Sequence, residues 1–88
     1  MAETVTSTLT VRVLLFGSYA EALERDALEL TFPGPVTVGE ALARLQALPG
    51  GDQLPPRPLC ALNLKQASME LPLTEGDELA ILPPLAGG

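Results

Sequence analysis

One amphipathic helix in this chain has to find a sheet. Thr37-Val38-Gly39-Glu40 has the spacing of a capping box, in which the Thr and Glu side chains satisfy backbone N–H groups orphaned at a helix start. Behind it Val38, Ala41, Leu42, Leu45 and Leu48 recur at helical spacing, and Pro49-Gly50-Gly51 stops the run. Glu40 and Arg44 stand in the favourable order for an ion pair along a helix. A helix with a single apolar stripe needs an apolar surface to lie on. Most of the rest of the 88-residue chain reads as strands and turns, so that surface is expected to be one face of a sheet in a single domain.

The strands follow from alternation. In Leu9–Phe16, Leu9, Val11, Val13 and Leu15 share one face, with Thr10, Arg12, Leu14 and Phe16 on the other. Gly17 breaks the strand, and Ser18-Tyr19-Ala20-Glu21 predicts a second capping box with one or two helical turns to about Arg25. Asp26–Phe32 alternates again, with Leu28, Leu30 and Phe32 together. The short link to the first strand favours an antiparallel pair, since a parallel crossover takes about a dozen residues or more. Pro33-Gly34-Pro35 closes it. After a turn-rich Asp52–Pro58 loop, Leu59–Leu64 reads as a strand with Cys60, Leu62 and Leu64 on one face, and Gln66–Leu71 as a weaker one. Leu73–Asp77 is a turn in which Gly76 can supply a positive φ. Glu78–Leu82 is the last strand, ended by Pro83, which donates no ladder bond.

The order predicts an α+β fold, a β-grasp (ubiquitin-like) roll. A mixed sheet of four to five strands is covered by one main helix, and the apolar first and last strands lie centrally. Residues 1–8 are expected to be a loose lead-in, 9–83 the β-grasp domain and 84–88 an extended, flexible tail.

Composition removes most routes to side-chain chemistry. With no His and one Cys, a Ser-His-Asp triad, a Cys/His dyad and a multi-ligand Cys/His zinc site are excluded, so no metal is expected. A formal charge of −6 argues against nucleic acid, which needs a basic patch. No apolar run approaches the roughly 18 residues of a membrane span, and Met1–Thr8 lacks the basic start and apolar core of a secretory signal. One cysteine fits a reducing compartment, and a cytoplasmic location is expected. Cys60 reads as a small buried hydrophobe. Asp77 and Glu78 are neighbours on a strand and point to opposite faces, so they are no acid–base pair. Arg12 and Lys65 read as parts of a solvated strand face, and the acidic excess as a source of solubility.

What remains is the end of the chain, Leu82-Pro83-Pro84-Leu85-Ala86-Gly87-Gly88. Pro83 and Pro84 stiffen the exit from the last strand. The residues then shrink to Ala86, Gly87 and Gly88, and glycine backbone can pass a narrow channel and approach a reacting centre closely. Such an end suits chemistry on the α-carboxylate of Gly88 itself. Leu85 is a candidate hydrophobic anchor in a partner.

These residues resemble a known family, the small, sulfur-carrying subunits of molybdopterin synthase. The likeness is strongest from Leu73 to Gly88: a Gly-Asp-Glu turn, an apolar strand, Pro-Pro, an apolar residue, a small residue and Gly-Gly. The strand running into Phe16, the Ala20–Leu23 segment and Ala61-Leu62-Asn63 are also similar. The Asp52–Pro58 loop and the residues before Leu9 depart from the family pattern. The resemblance implies that an activating enzyme uses ATP to adenylate the Gly88 carboxylate and that a sulfur donor converts it to a thiocarboxylate. Pro83, Pro84, Leu85, Ala86 and Gly87 would then guide the tail into the large synthase subunit, where sulfur passes to cyclic pyranopterin monophosphate. It implies no bound cofactor, catalytic groups in the large subunit, and an assembly of two small and two large subunits. Carriers for tRNA or thiamine thiolation, and ubiquitin-like protein modifiers, share the Gly-Gly end and stay open, as does a binding module with an inert tail.

Overall fold

The computed structural model describes residues 8–84. Its elements are β1 (Leu9–Leu15), α1 (Gly17–Leu23), β2 (Ala27–Phe32), α2 (Val38–Gln46), a 3-10 turn (Gly51–Gln53), β3 (Leu59–Leu62), β4 (Lys65–Ala67) and β5 (Glu78–Leu82). The five strands form one mixed sheet in the order β2-β1-β5-β3-β4. β1 pairs antiparallel with β2 and parallel with β5, and β3 pairs antiparallel with both β5 and β4. The first and last strands lie inside the sheet. This is the β-grasp roll.

The alternation in the sequence sorts the two faces. Val11, Val13, Leu15, Leu30, Phe32, Cys60, Leu79 and Ile81 point inward and are buried. Val38, Ala41, Leu42 and Leu45 of α2 join the same core, as do Tyr19 and Leu23 of α1. The Thr37–Glu40 capping box forms: the Glu40 N–H donates to Thr37 Oγ1 at 3.2 Å and the Thr37 N–H to Glu40 Oε1 at 2.9 Å. Gly76 takes φ +84 in its turn.

Four local expectations need correction. No side chain caps α1 at Ser18. The chain turns straight out of β1, and the Phe16 carbonyl accepts from Tyr19 N–H (3.1 Å) and Ala20 N–H (3.4 Å), so Ser18 lies within the helix. Glu40 and Arg44 do not pair. Glu40 is held by the capping box, and Arg44 donates to the Thr31 carbonyl (3.3 Å) with its guanidinium 5.0 Å from the Phe32 ring centre. β3 stops at Leu62, because Asn63 (φ +52) and Leu64 (φ +75) form a two-residue hairpin turn into β4. Leu64 is therefore 91% exposed rather than facing the core. The Gln66–Leu71 strand shrinks to Lys65–Ala67 because the residues beyond it bond to α2 instead. The Met69 and Leu71 carbonyls accept from Gly39 N–H and Val38 N–H at 2.9 Å each, satisfying orphan donors of that helix. The 52–58 segment is a loop as expected; it adds Leu54 to the core, and Gln46 Nε2 clamps it by donating to the Pro55 carbonyl at 2.9 Å.

Candidate functional site

Of the tail residues singled out by the sequence, Pro83 and Pro84 sit at one end of the sheet. β5 runs between β1 and β3, and Leu82 pairs with Leu59 before the chain leaves at Pro83. Pro83 is half-buried and Pro84 exposed. Leu85, Ala86, Gly87 and Gly88 lie outside the described residues.

The sheet face turned away from the helices leads to this exit. Its outward positions follow from the register: Leu14 lies between Ala27 and Ala80, and Ala80 is opposite Ala61. One step toward the exit, continuing the Leu15–Ile81 pairing, Phe16 comes level with Leu82, and Leu82 is opposite Leu59. Phe16 is 44% and Leu59 47% exposed. An apolar row, Phe16 just past β1, Leu82 of β5 and Leu59 of β3, thus ends where β5 does. On the far side of the face Arg12 stands between Glu29 and Glu78. An exposed apolar patch on a small domain marks a contact surface. Sequence reasoning placed Phe16 and Leu14 on the mixed face of β1 without assigning them a role. The available signal was that β1 carries large apolar residues on both faces, while only one can meet α2.

The start of β5 is pinned by side chains. Asp77 Oδ1 accepts from Asn63 Nδ2 (2.9 Å) and Oδ2 from Thr74 N–H (2.7 Å), while Asn63 Oδ1 accepts from Glu78 N–H (2.9 Å). Partial desolvation pushes the Asp77 carboxyl up, but the donors from Asn63 and Thr74 together outweigh it and hold the group below its ordinary value. Asp77 and Glu78 take turn and ladder positions. The only cysteine, Cys60, is buried in β3 with its thiol toward the Pro58 carbonyl at 3.6 Å, and burial raises its pKa. Among the described residues no cluster of three His, Cys, Asp or Glu could hold a metal ion, and no helix is long and apolar enough to cross a membrane.

Comparison with known proteins places this arrangement. The ThiS family matches residues 13–88. The molybdopterin synthase sulfur carrier subunit of Escherichia coli (strain K12) is 33% identical over 85 residues, covering 89% of this chain and 99% of the relative. Among solved structures, small archaeal modifier protein 1 from Haloferax volcanii superposes with a TM-score of 0.77 at 27% identity, covering 90% of this chain and 99% of the other. A chain from the complex of subunits 1 and 2 of molybdopterin-converting factor from Helicobacter pylori 26695 gives 0.69 at 26% identity, covering 91% of this chain and all of the other.

Proposed function

The chain belongs to the ThiS family, and from that premise we propose that it is a sulfur carrier, the small subunit of a molybdopterin synthase. The observation that carries the reading is the apolar row Phe16–Leu82–Leu59 ending at Pro83. A surface that holds a partner while a narrow tail leaves from its edge suits delivery of a terminal group into that partner.

The chemistry belongs to the α-carboxylate of Gly88. A carboxylate is a poor acyl donor. In the proposed first step one of its oxygens attacks the α-phosphorus of ATP in an activating enzyme, releasing pyrophosphate and forming an acyl-adenylate. Sulfide released by the sulfur donor then attacks the carbonyl carbon and AMP leaves, giving the thiocarboxylate. Held by the docked face, the sulfur reaches cyclic pyranopterin monophosphate at a high effective concentration and out of contact with bulk water. Each sulfur forms a C–S bond to the pterin side chain, water then cleaves the acyl–sulfur bond and returns the Gly88 carboxylate, and two carriers supply the two sulfurs of the molybdopterin dithiolene. The acids and bases for the transfer belong to the large subunit, since neither Cys60, buried in the core, nor Asp77, engaged in the turn, is free to act.

The test is reconstitution with ATP, an activating enzyme, a sulfur donor and the large subunit. Full-length chain should acquire a thiocarboxylate by mass spectrometry and support molybdopterin formation. Removal of Gly88 should abolish both while the unfolding curve stays unchanged. Formation of the product without Gly88 would overturn the reading. The likeness to small archaeal modifier protein 1 favours a second reading, conjugation of Gly88 to lysines of other proteins, and isopeptide-linked species after incubation with ATP and cell extract would support it instead.

A further inference from the structure

We propose that Gly17 is a positioning residue: its missing side chain seats the Pro83 ring and sets the direction in which the chain leaves the fold toward Gly88. Three observations meet here. The parallel pairing of β1 and β5 brings the two strands to their ends together, with Leu15 opposite Ile81. At that level β1 turns off into α1, with Gly17 at φ +57, a left-handed conformation that L side chains rarely adopt. A Cβ on Gly17 would also lie 3.1 Å from Pro83 Cγ, inside the roughly 3.5–4.0 Å at which carbon atoms ordinarily pack.

The proline cannot absorb such a contact by changing rotamer. Its ring is fused to the backbone and fixes φ, so whatever part of a push on Cγ a change of ring pucker does not take up turns the Pro83 backbone. Pro84 follows; it confines Pro83 to extended geometry and fixes its own φ. The pair acts as a stiff lever whose near end rests on Gly17. The part of the displacement that reaches the backbone becomes a change in exit direction.

The catalytic consequence rests on the sulfur-carrier reading; the geometry does not, so two readouts are needed. The first is the exit direction. A nitroxide is attached at Ala86→Cys in a Cys60→Ser background, and the broadening it causes in the amide NMR spectrum is mapped. The second is conversion of the Gly88 carboxylate to thiocarboxylate by the activating enzyme, with kcat and KM separated. Misplacement by about 1 Å costs roughly a hundredfold in rate. Gly17→Ala should therefore redistribute the broadening and lower kcat by about tenfold, with KM unchanged. In a Pro83→Ala background, adding Gly17→Ala should change neither readout further, because the contact is already gone. An unchanged broadening map in Gly17→Ala overturns the proposal. So does an equal change in both backgrounds, which would trace the effect to φ at residue 17 alone. If Gly17→Ala does not fold, Pro83→Ala opens the same contact from the other side and must itself alter the map; an unaltered map again overturns the proposal. Redistribution as described without thiocarboxylation of the parent chain would sink the sulfur-carrier reading and leave the positioning role standing.

Discussion

Truncating Phe16 separates recognition from stability. Phe16 is 44% exposed, and a phenylalanine offers about 200 Å² to a partner when fully covered, so ~90 Å² remains for docking. At ~25 cal/mol per Å² that area is worth about 2 kcal/mol. Since Ala retains a little of it, Phe16→Ala should weaken binding to a molybdopterin synthase large subunit roughly ten- to thirtyfold. The buried part of the ring contributes to folding, so the variant should also lose about 1–2 kcal/mol of stability. A chain of this length holds roughly 4–13 kcal/mol, and it stays folded in the assay. Isothermal titration against the large subunit measures the affinity, and urea unfolding measures the stability. Leu64→Ala is the control, because Leu64 is more exposed, at 91%, but sits at the β3–β4 turn and off the row. It should change affinity by less than about twofold. The reasoning fails if Leu64→Ala weakens binding more than Phe16→Ala, or if Phe16→Ala and Leu59→Ala both bind like the parent.

Three further outcomes are expected. Leu45→Ala, at a fully buried position of α2, should destabilise the fold by about 2–5 kcal/mol in urea unfolding; an equal or smaller loss than for the half-buried Leu48→Ala would show the core face misassigned. The Asp77 carboxyl is held below its ordinary value, so it steadies the fold above the unfolded-chain pKa of about 4, and that contribution disappears as pH falls through the lower folded value. Asp77→Asn should thus lower stability at neutral pH and flatten the acid limb, and parallel stability–pH curves for parent and variant would contradict this. Cys60 should react slowly with a thiol reagent under native conditions, since burial raises its pKa. Cys60→Ser should retain sulfur transfer, and loss of transfer in a normally folded Cys60→Ser chain would reveal a relay through the thiol.

The parts of this fold visible in the sequence are those in which side chains act through periodicity. The inward set of β1 and the stripe of α2 were legible because burial on one face repeats every second or every third to fourth residue. What the sequence concealed depends on backbone partners. Leu64 continues the alternation of β3 perfectly well, and only its left-handed φ at the turn removes it from the core. The Gln66–Leu71 segment has strand-like residues, yet its carbonyls are drawn to the N–H groups of α2, a demand that arises only once the helix is docked. Arg44 had two acceptable partners, and the tertiary position of Phe32 and Thr31 decided between them. At the site, the last strand and its Pro-Pro exit could be read directly. The docking row could not, because Leu59 and Leu82 come from two strands and Phe16 from the residue just past β1, and they become neighbours only through the crossover that sets β5 between β1 and β3.

That crossover also explains how a domain this small carries an apolar face on each side of its sheet. The inner face must be dense, and it is: Val11, Val13, Leu45, Leu79 and Ile81 are wholly buried. On the proposed reading the outer face binds a partner, and it has to do so without inviting self-association. Its middle is occupied by Ala27, Ala80 and Ala61 around Leu14, which limits the area gained when two copies meet. The larger groups, Phe16 and Leu59, stand at the end where the tail departs, and Glu29, Arg12 and Glu78 cross the other end. Two copies stacked in opposite directions would bring apolar groups onto charges, and two stacked in the same direction would set the same charges together. Either arrangement carries a desolvation or repulsion cost. A partner with an apolar seat beside an opening for the tail would meet neither cost, so under the proposed function the gradient along the sheet would select both who docks and which way round.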